Sequence, residues 1–181
     1  MTQPSKTVLL GITGSIAAYR ACDIASALKK SSLDVQVVMT KEALEFITPL
    51  TLQTISQNKV VSDMFALPEK WEVIHTSLAD RADIVLIAPA TANIIGKLAS
   101  GVCDDILSSV VFATTAPVVI APAMNEKMYK HPVTQRNIDT LKKIGYHFIG
   151  PIKGRLACGH EDIGHIADTA EIVKEVKRLL K

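Results

Sequence analysis

Aromatic residues make up only 4% of the chain, too few for a stacking platform that reads nucleic-acid bases. An excess of one charge is also missing. The formal net charge is +2 and the basic residues are scattered, so no footprint for nucleic acid or an anionic membrane surface forms. No apolar run approaches the ~20 residues that a membrane helix needs. The start, Met1 to Lys6, leads straight into a strand-like segment, so no secretory signal is expected. The three cysteines, Cys22, Cys103 and Cys158, are odd in number and widely spaced. They make no disulfide or metal pattern and fit a reducing cytoplasm. His131, His147, His160 and His165 fall at no metal-ligand spacing, so no metal site is expected. Low-complexity segments and linkers are absent too.

What is present reads as globular. The chain has 181 residues, enough for one domain over 1–181 with a full core. Strand-like runs at Thr7–Ile12, Val35–Met39, Asp83–Ala88, Pro117–Ala121 and Tyr146–Ile149 alternate with helical spacing. The helices are expected at Ser15–Lys30, Lys41–Ile47, Pro49–Ser56, His75–Ala82, Ala92–Ala99, Asp105–Ala113 and Pro132–Ile144, with Asp104 as an N-cap. Asn58–Trp71 is weakly patterned and reads as irregular. Pro151–His165 holds three glycines and reads as a long loop. Asp168 and Glu171 are spaced as a capping box before a last amphipathic helix. The alternation predicts an α/β doubly wound parallel sheet, a Rossmann-like three-layer sandwich.

The tetrapeptide Ile-Ala-Pro-Ala occurs twice, at Ile87–Ala90 and Ile120–Ala123. Each copy ends an apolar run, where proline is expected to stop the pairing. Polar or small residues follow: Thr91-Ala92-Asn93 after the first, Met124-Asn125 after the second. Ligands in open α/β sheets bind at the carboxyl ends of strands, so the two copies mark two walls of one candidate site. A third wall is Gly11-Ile12-Thr13-Gly14-Ser15, between the first strand and the first helix. Its glycines admit close approach of a phosphate, and a helix N-terminus follows. The spacing is neither the dinucleotide fingerprint nor a Walker loop. The second strand ends in Thr40-Lys41, without the acidic residue that holds a ribose, so NAD is disfavoured and a monophosphate such as FMN fits better. An ordinary tight turn with Ser15 as N-cap accounts for the same residues.

The remaining candidates each have a plain reading beside the chemical one. Asn93 suits either a ligand contact or a first-turn helix residue. Asn125 suits either a ligand carboxylate or an N-cap for Glu126–Lys130. His75 has the side chain for proton transfer near neutrality, although lone histidines are usually surface residues. Met124 is either core filler or a ligand contact. Cys158, flanked by glycines with Arg155 nearby, reads as reactive, whereas Cys22 and Cys103 read as packing residues.

Together these segments carry a resemblance. Gly14-Ser15-Ile16-Ala17-Ala18-Tyr19, His75 with Leu78-Ala79 and Ala82-Asp83, Pro89-Ala90-Thr91-Ala92-Asn93, Pro122-Ala123-Met124-Asn125, and Gly154 with Leu156-Ala157-Cys158-Gly159 occur in order. In this they are similar to the phosphopantothenoylcysteine decarboxylases, a branch of the flavin-containing cysteine decarboxylase family. The resemblance implies a flavodoxin-like fold, bound FMN, and homotrimers, or dodecamers of trimers, with each site at a subunit interface. It implies conversion of 4′-phosphopantothenoylcysteine to 4′-phosphopantetheine in coenzyme A synthesis. A ligase, fused or separate, is an implied partner.

The resemblance also assigns roles. Gly14, Ser15, Thr40, Thr91, Ala92, Asn93 and Ala123 would line FMN. Met124, Asn125, Arg155, Leu156 and Ala157 would contact substrate. His75 would be the acid/base residue, Asn125 would hold the substrate carboxylate, and Cys158 would protonate the enethiolate. Two positions depart from the family pattern: Ile94 stands where a hydroxyl is usual, and His165 where an arginine is usual. Peptidyl-cysteine oxidative decarboxylases and non-catalytic flavin-binding regulatory subunits are the alternatives within the fold.

Overall fold

The computed structural model describes residues 5–66, 72–155 and 159–181. Apolar runs without polar alternation need cover on both faces. Here β1 (Thr7–Ile12), β2 (Asp34–Met39), β3 (Ile84–Ala90), β4 (Val118–Pro122) and β5 (His147–Phe148) lie in one parallel sheet, in the order β2-β1-β3-β4-β5. Val8, Leu10, Ile12, Val37 and Leu86 face one layer, built from α1 (Arg20–Lys30), α2 (Pro49–Ser56) and α8 (Thr169–Leu179). Leu9, Val85, Ile87 and Ile120 face the other, built from α3 (Ile74–Arg81), α4 (Ala92–Ser100), α5 (Ile106–Ala113) and α7 (Pro132–Lys143). Each fully buried leucine or isoleucine contributes about 1.5–3 kcal/mol. The expected doubly wound three-layer sandwich is therefore the fold. Among the described residues no helix is long and apolar enough to cross a membrane.

The strand order has a consequence for function. From β1 the chain winds outward to β2 on one face, then returns to β3 on the opposite side of β1. Helices leave the carboxyl ends of β1 and β3 toward opposite faces, and the crevice between those ends is where open α/β sheets bind ligands.

Several local expectations are corrected. Ser15–Lys30 does not begin as α-helix: Ile16–Tyr19 is a 3₁₀ turn, and α1 starts at Arg20. Lys41–Ile47 is also only a 3₁₀ turn, Lys41–Glu45. Proline does not stop β3. The register against β4 shifts between Ile87 and Ala90, after which Ala90 pairs with Pro122. Proline lacks a donor but keeps its acceptor, and the Pro89 carbonyl is used by Thr13. The cap of α5 is Asp105, not Asp104. The Asp105 carboxylate accepts from the Ser108 N–H at 2.8 Å, while Asp104 pairs with Lys97 at 2.6 Å. Asp168 makes no side-chain cap, so the expected capping box does not form, and Glu171 lies 3.5 Å from Lys174.

Pro151–His165 is not a plain loop. Ile152–Arg155 (β6) and Glu161–His165 (β7) form an antiparallel ribbon, with Leu156, Ala157 and Cys158 outside the described residues. Glycines at 154 and 164 hide the strand alternation. Of Asn58–Trp71, residues 67–71 also lie outside the described residues. The rest is irregular, save a parallel bridge from Val61 to Val38.

Candidate active site

Buried hydroxyls tie the three strand ends together. Thr13, 2% exposed, donates its Oγ1–H to the Pro89 carbonyl at 2.7 Å and accepts the Thr91 N–H at 3.1 Å. Ser15 donates its hydroxyl to the Ala123 carbonyl at 3.3 Å and accepts the Ala17 N–H, so it is an N-cap as well as a site residue. The Ala123 N–H donates to the Ala90 carbonyl at 3.0 Å, which joins the two Ile-Ala-Pro-Ala ends directly. Thr91 caps α4 by accepting the Ile94 N–H. The wall is thus fixed before any ligand arrives.

Two cavities open on this framework. The smaller, about 220 Å³, is lined by Thr13, Gly14, Thr40, Thr91 and Asn93 among others. The Thr40 hydroxyl is buried there with no hydrogen-bonding partner. Such a group costs about 1–3 kcal/mol unless a ligand satisfies it, so the lining fits a hydroxyl-rich or phosphate-bearing guest. Asp105 also lines this cavity. Burial pushes its carboxyl up, but hydrogen bonds from Lys97 and Ser108 and the charge of Lys97 outweigh that and hold it below the usual carboxylate range. Gly14 is held close for a second reason: a Cβ there would meet the Glu42 Cβ at 2.4 Å.

The larger cavity, about 600 Å³, is lined by Ser15, Arg20, Met124, Asn125, Arg155 and His165 among others. Asn125 caps α6 (Glu126–Lys130), its Oδ1 accepting the Lys127 N–H at 2.9 Å. Its Nδ2 donates to the Glu126 carboxylate at 2.7 Å, which fixes the orientation of the amide. Glu126 is buried and lies 3.2 Å from His160 Nε2 on the ribbon. Two further ties seat the ribbon against this edge: the Met124 N–H donates to the Gly164 carbonyl at 3.1 Å, and Lys130 reaches Asp162 at 2.6 Å. Here the capping and ligand readings of Asn125 coexist, because an amide oriented by its cap keeps a face to the cavity.

Not every candidate converges. His75 lies in the first turn of α3, half-buried, and lines neither cavity. The helix runs back from the carboxyl edge of the sheet to the start of β3, so His75 is at the correct edge but outside both pockets. Ala92 opens α4 behind Thr91 and also lines neither. Ala123 lines the larger cavity. Cys22 is half-buried against the core, and burial followed by the nearby Asp23 charge pushes its thiol up, as suits a packing residue. Cys103 is exposed, not packed. No group of three or more His, Cys, Asp or Glu suited to a metal forms among the described residues. Sequence reasoning assigned no role to Thr13, Arg20 or Glu126. Thr13 had a signal, a hydroxyl within a strand-end glycine loop; Arg20 sits at an unremarked helix start, and Glu126 opens the helix that Asn125 was expected to cap.

The sequence matches the Flavoprotein family over residues 1–181. It is 46% identical to the coenzyme A biosynthesis bifunctional protein CoaBC of Bacillus subtilis (strain 168), over 94% of this chain and 42% of that protein. The chain thus spans about two fifths of the length of that relative. It is 44% identical to the probable phosphopantothenoylcysteine decarboxylase of Streptococcus mutans, over 97% of this chain and 99% of that one. Among solved structures, a mutant PPC decarboxylase complexed with pantothenoylaminoethenethiol superposes with a TM-score of 0.87 at 33% identity, covering 97% of this chain and 98% of the other. The FMN-dependent cysteine decarboxylase SpaF superposes at 0.84 and 28% identity, with the same coverage. A family match along the whole chain, with relatives and structures that agree on it, makes this chain a member of the flavoprotein family.

Proposed function

We propose that residues 1–181 form one cytoplasmic FMN-binding domain that decarboxylates 4′-phosphopantothenoylcysteine to 4′-phosphopantetheine. The observation that carries the reading is the buried, partnerless Thr40 hydroxyl in a cavity whose other walls are Gly14, Thr91 and Asn93. Those residues fit the polar tail of a flavin, and the names of the relatives supply the reaction class. Gly14, Ser15, Thr40, Thr91, Ala92, Asn93 and Ala123 would hold the cofactor.

FMN, when bound, supplies a two-electron acceptor that is later the two-electron donor. The chemistry needs it because a carboxylate on a saturated carbon has no sink for the charge left behind. Oxidation of the substrate thiol to a thioaldehyde places C=S β to the carboxylate. Carbon dioxide then leaves, and sulfur takes the charge as an enethiolate. Return of a hydride and a proton gives the saturated thiol, so the net change is loss of carbon dioxide. Asn125 orients the departing carboxylate through its amide, held by Glu126 and the Lys127 N–H. His75 acts as acid/base in the oxidative half, and Cys158 protonates the enethiolate carbon. Met124, Arg155, Leu156 and Ala157 contact the substrate. His75 lies outside both cavities of one chain, which favours a homotrimer in which a neighbouring copy completes each site. A ligase, fused or separate, would supply the substrate.

The test is the product mass after FMN-loaded protein is incubated with 4′-phosphopantothenoylcysteine. The expected product has lost carbon dioxide alone. Loss of carbon dioxide and two further hydrogens would instead make the chain an oxidative decarboxylase of the peptide-modifying kind. Unchanged substrate beside bound flavin would sink the enzymatic reading.

A further inference from the structure

A buried carboxylate stands behind the wall of the larger cavity. Glu126 follows Asn125 in the chain, and its side chain is only 6% exposed. It lines neither cavity. A carboxylate withdrawn from water is costly unless it is paired and hydrogen-bonded, and here both oxygens are engaged. Oε2 accepts the Asn125 Nδ2–H at 2.7 Å, and Oε1 lies 3.2 Å from His160 Nε2. A carboxylate only accepts, so Nε2 carries the hydrogen in this contact. His160 stands immediately before β7 and, like Glu126, lines neither cavity.

The three side chains form a line from the ribbon to the site. The Asn125 amide has two unlike ends, an oxygen that accepts and a nitrogen that donates. The Lys127 N–H holds the oxygen at 2.9 Å, and Glu126 holds the nitrogen. With both ends fixed, the amide cannot turn its oxygen toward a ligand carboxylate. Glu126 depends in turn on His160. Without the imidazole the buried carboxylate loses a partner, and hydration draws it outward, away from Asn125. The tie between Lys130 and Asp162 also joins α6 to the ribbon, but its lysine is 56% exposed, and such pairs contribute little.

We infer that Glu126, braced by His160, is the positioning residue for Asn125. It presents the amide nitrogen to the substrate carboxylate, so two side chains outside the cavity govern recognition of that group. The inference rests on the decarboxylase reading for the carboxylate that Asn125 meets.

The experiment compares binding of 4′-phosphopantothenoylcysteine and 4′-phosphopantetheine, which differ only by the carboxylate. Equilibrium dialysis uses the FMN-loaded chain with its flavin kept reduced by dithionite, so that the thiol is not oxidised. Wild type is expected to prefer the carboxylate-bearing ligand by about 10- to 100-fold, the range of one charge-assisted hydrogen bond. Glu126→Ala is expected to lose most of that preference, and Glu126→Gln to keep most of it, because its amide oxygen still accepts from Asn125. His160→Ala is expected to lose the preference as well. Its side chain is half-exposed, so it carries the test if Glu126→Ala fails to hold flavin. Lys130→Gln should match wild type. Asn125→Ser, which keeps a helix cap but has no amide to orient, should lose the preference, and adding Glu126→Ala to it should cost nothing more. An undiminished preference in both Glu126→Ala and His160→Ala, or a further loss in the double variant, would overturn the positioning role. Carbon dioxide release by wild type is read separately. A preference that depends on Glu126 in a chain that releases no carbon dioxide would uphold the positioning role and end the decarboxylase reading.

Discussion

Thr40 and Thr13 are both buried threonines at strand ends, yet they stand in opposite states. Thr13 spends its hydroxyl twice within the protein, whereas Thr40 keeps its hydroxyl unpaired. Replacing Thr40 by the near-isosteric valine should therefore act with two signs. It should stabilise the flavin-free chain by about 1 kcal/mol, because an unsatisfied buried group is removed. It should also weaken FMN binding about 10-fold. Thermal unfolding without flavin and flavin titration read the two effects, and a variant less stable without flavin would refute the account. At this scale the sequence was only partly legible. The resemblance named Thr40 as a flavin contact, but nothing in the sequence showed that its hydroxyl would be left unpaired. The commitment of Thr13 was not legible, because its partners Pro89 and Thr91 lie more than seventy positions away.

The sheet strands were legible because their apolar runs are nearly unbroken, and Thr7–Ile12 was placed to the residue. The ribbon Ile152–Arg155 with Glu161–His165 was not, since its strands are short, half-exposed and carry glycine. Nor did pattern alone separate Asp104 from Asp105 as the cap of α5. Both are acids before the same apolar run, and tertiary contact with Lys97 engages both. The α5 cap carries a pH signature. With its folded pKa lowered by Lys97 and Ser108 against the push of burial, Asp105 stabilises the fold fully above its unfolded pKa of about 3.9. That contribution is lost as the pH falls through the lower folded value. Asp105→Ala should cost about 1 kcal/mol near neutrality. The gap to wild type should shrink as urea unfolding is repeated from about pH 5 toward about pH 3. A gap independent of pH would sink the attribution.

At the scale of the molecule, the order β2-β1-β3-β4-β5 brings segments far apart in sequence to one edge. The alternation of strands and helices was enough to foresee the doubly wound parallel sheet, though not the order of its strands. The alternation could not show that His75 stays outside the pockets. Pattern reading places a residue at an edge of the sheet but not the direction of its helix face. Ile16 and Tyr19, 60% and 56% exposed beside the larger cavity, leave apolar surface for a neighbouring copy. If the site is shared between copies, His75→Asn and Asn125→Asp should each abolish carbon dioxide release while flavin stays bound. Mixed oligomers of the two should recover part of it, since some interfaces then pair an intact His75 with an intact Asn125. The aspartate keeps the helix cap. A mixture as inert as its parts would rule out catalysis across the interface.

Gly14 was first read as an opening for a phosphate, but its neighbour gives it a different history. Beyond the Glu42 side chain, the Glu42 backbone carbon and oxygen stand 3.1 and 3.2 Å from where a Cβ would be, so shortening residue 42 would not make room. Packing alone therefore preserves this glycine, with or without a cofactor. In a descendant of this chain that had abandoned flavin, Gly14 would persist as an inheritance of the architecture. Thr40, costly without a guest, would be among the first positions to drift, and it is the more faithful record of whether the site is still in use.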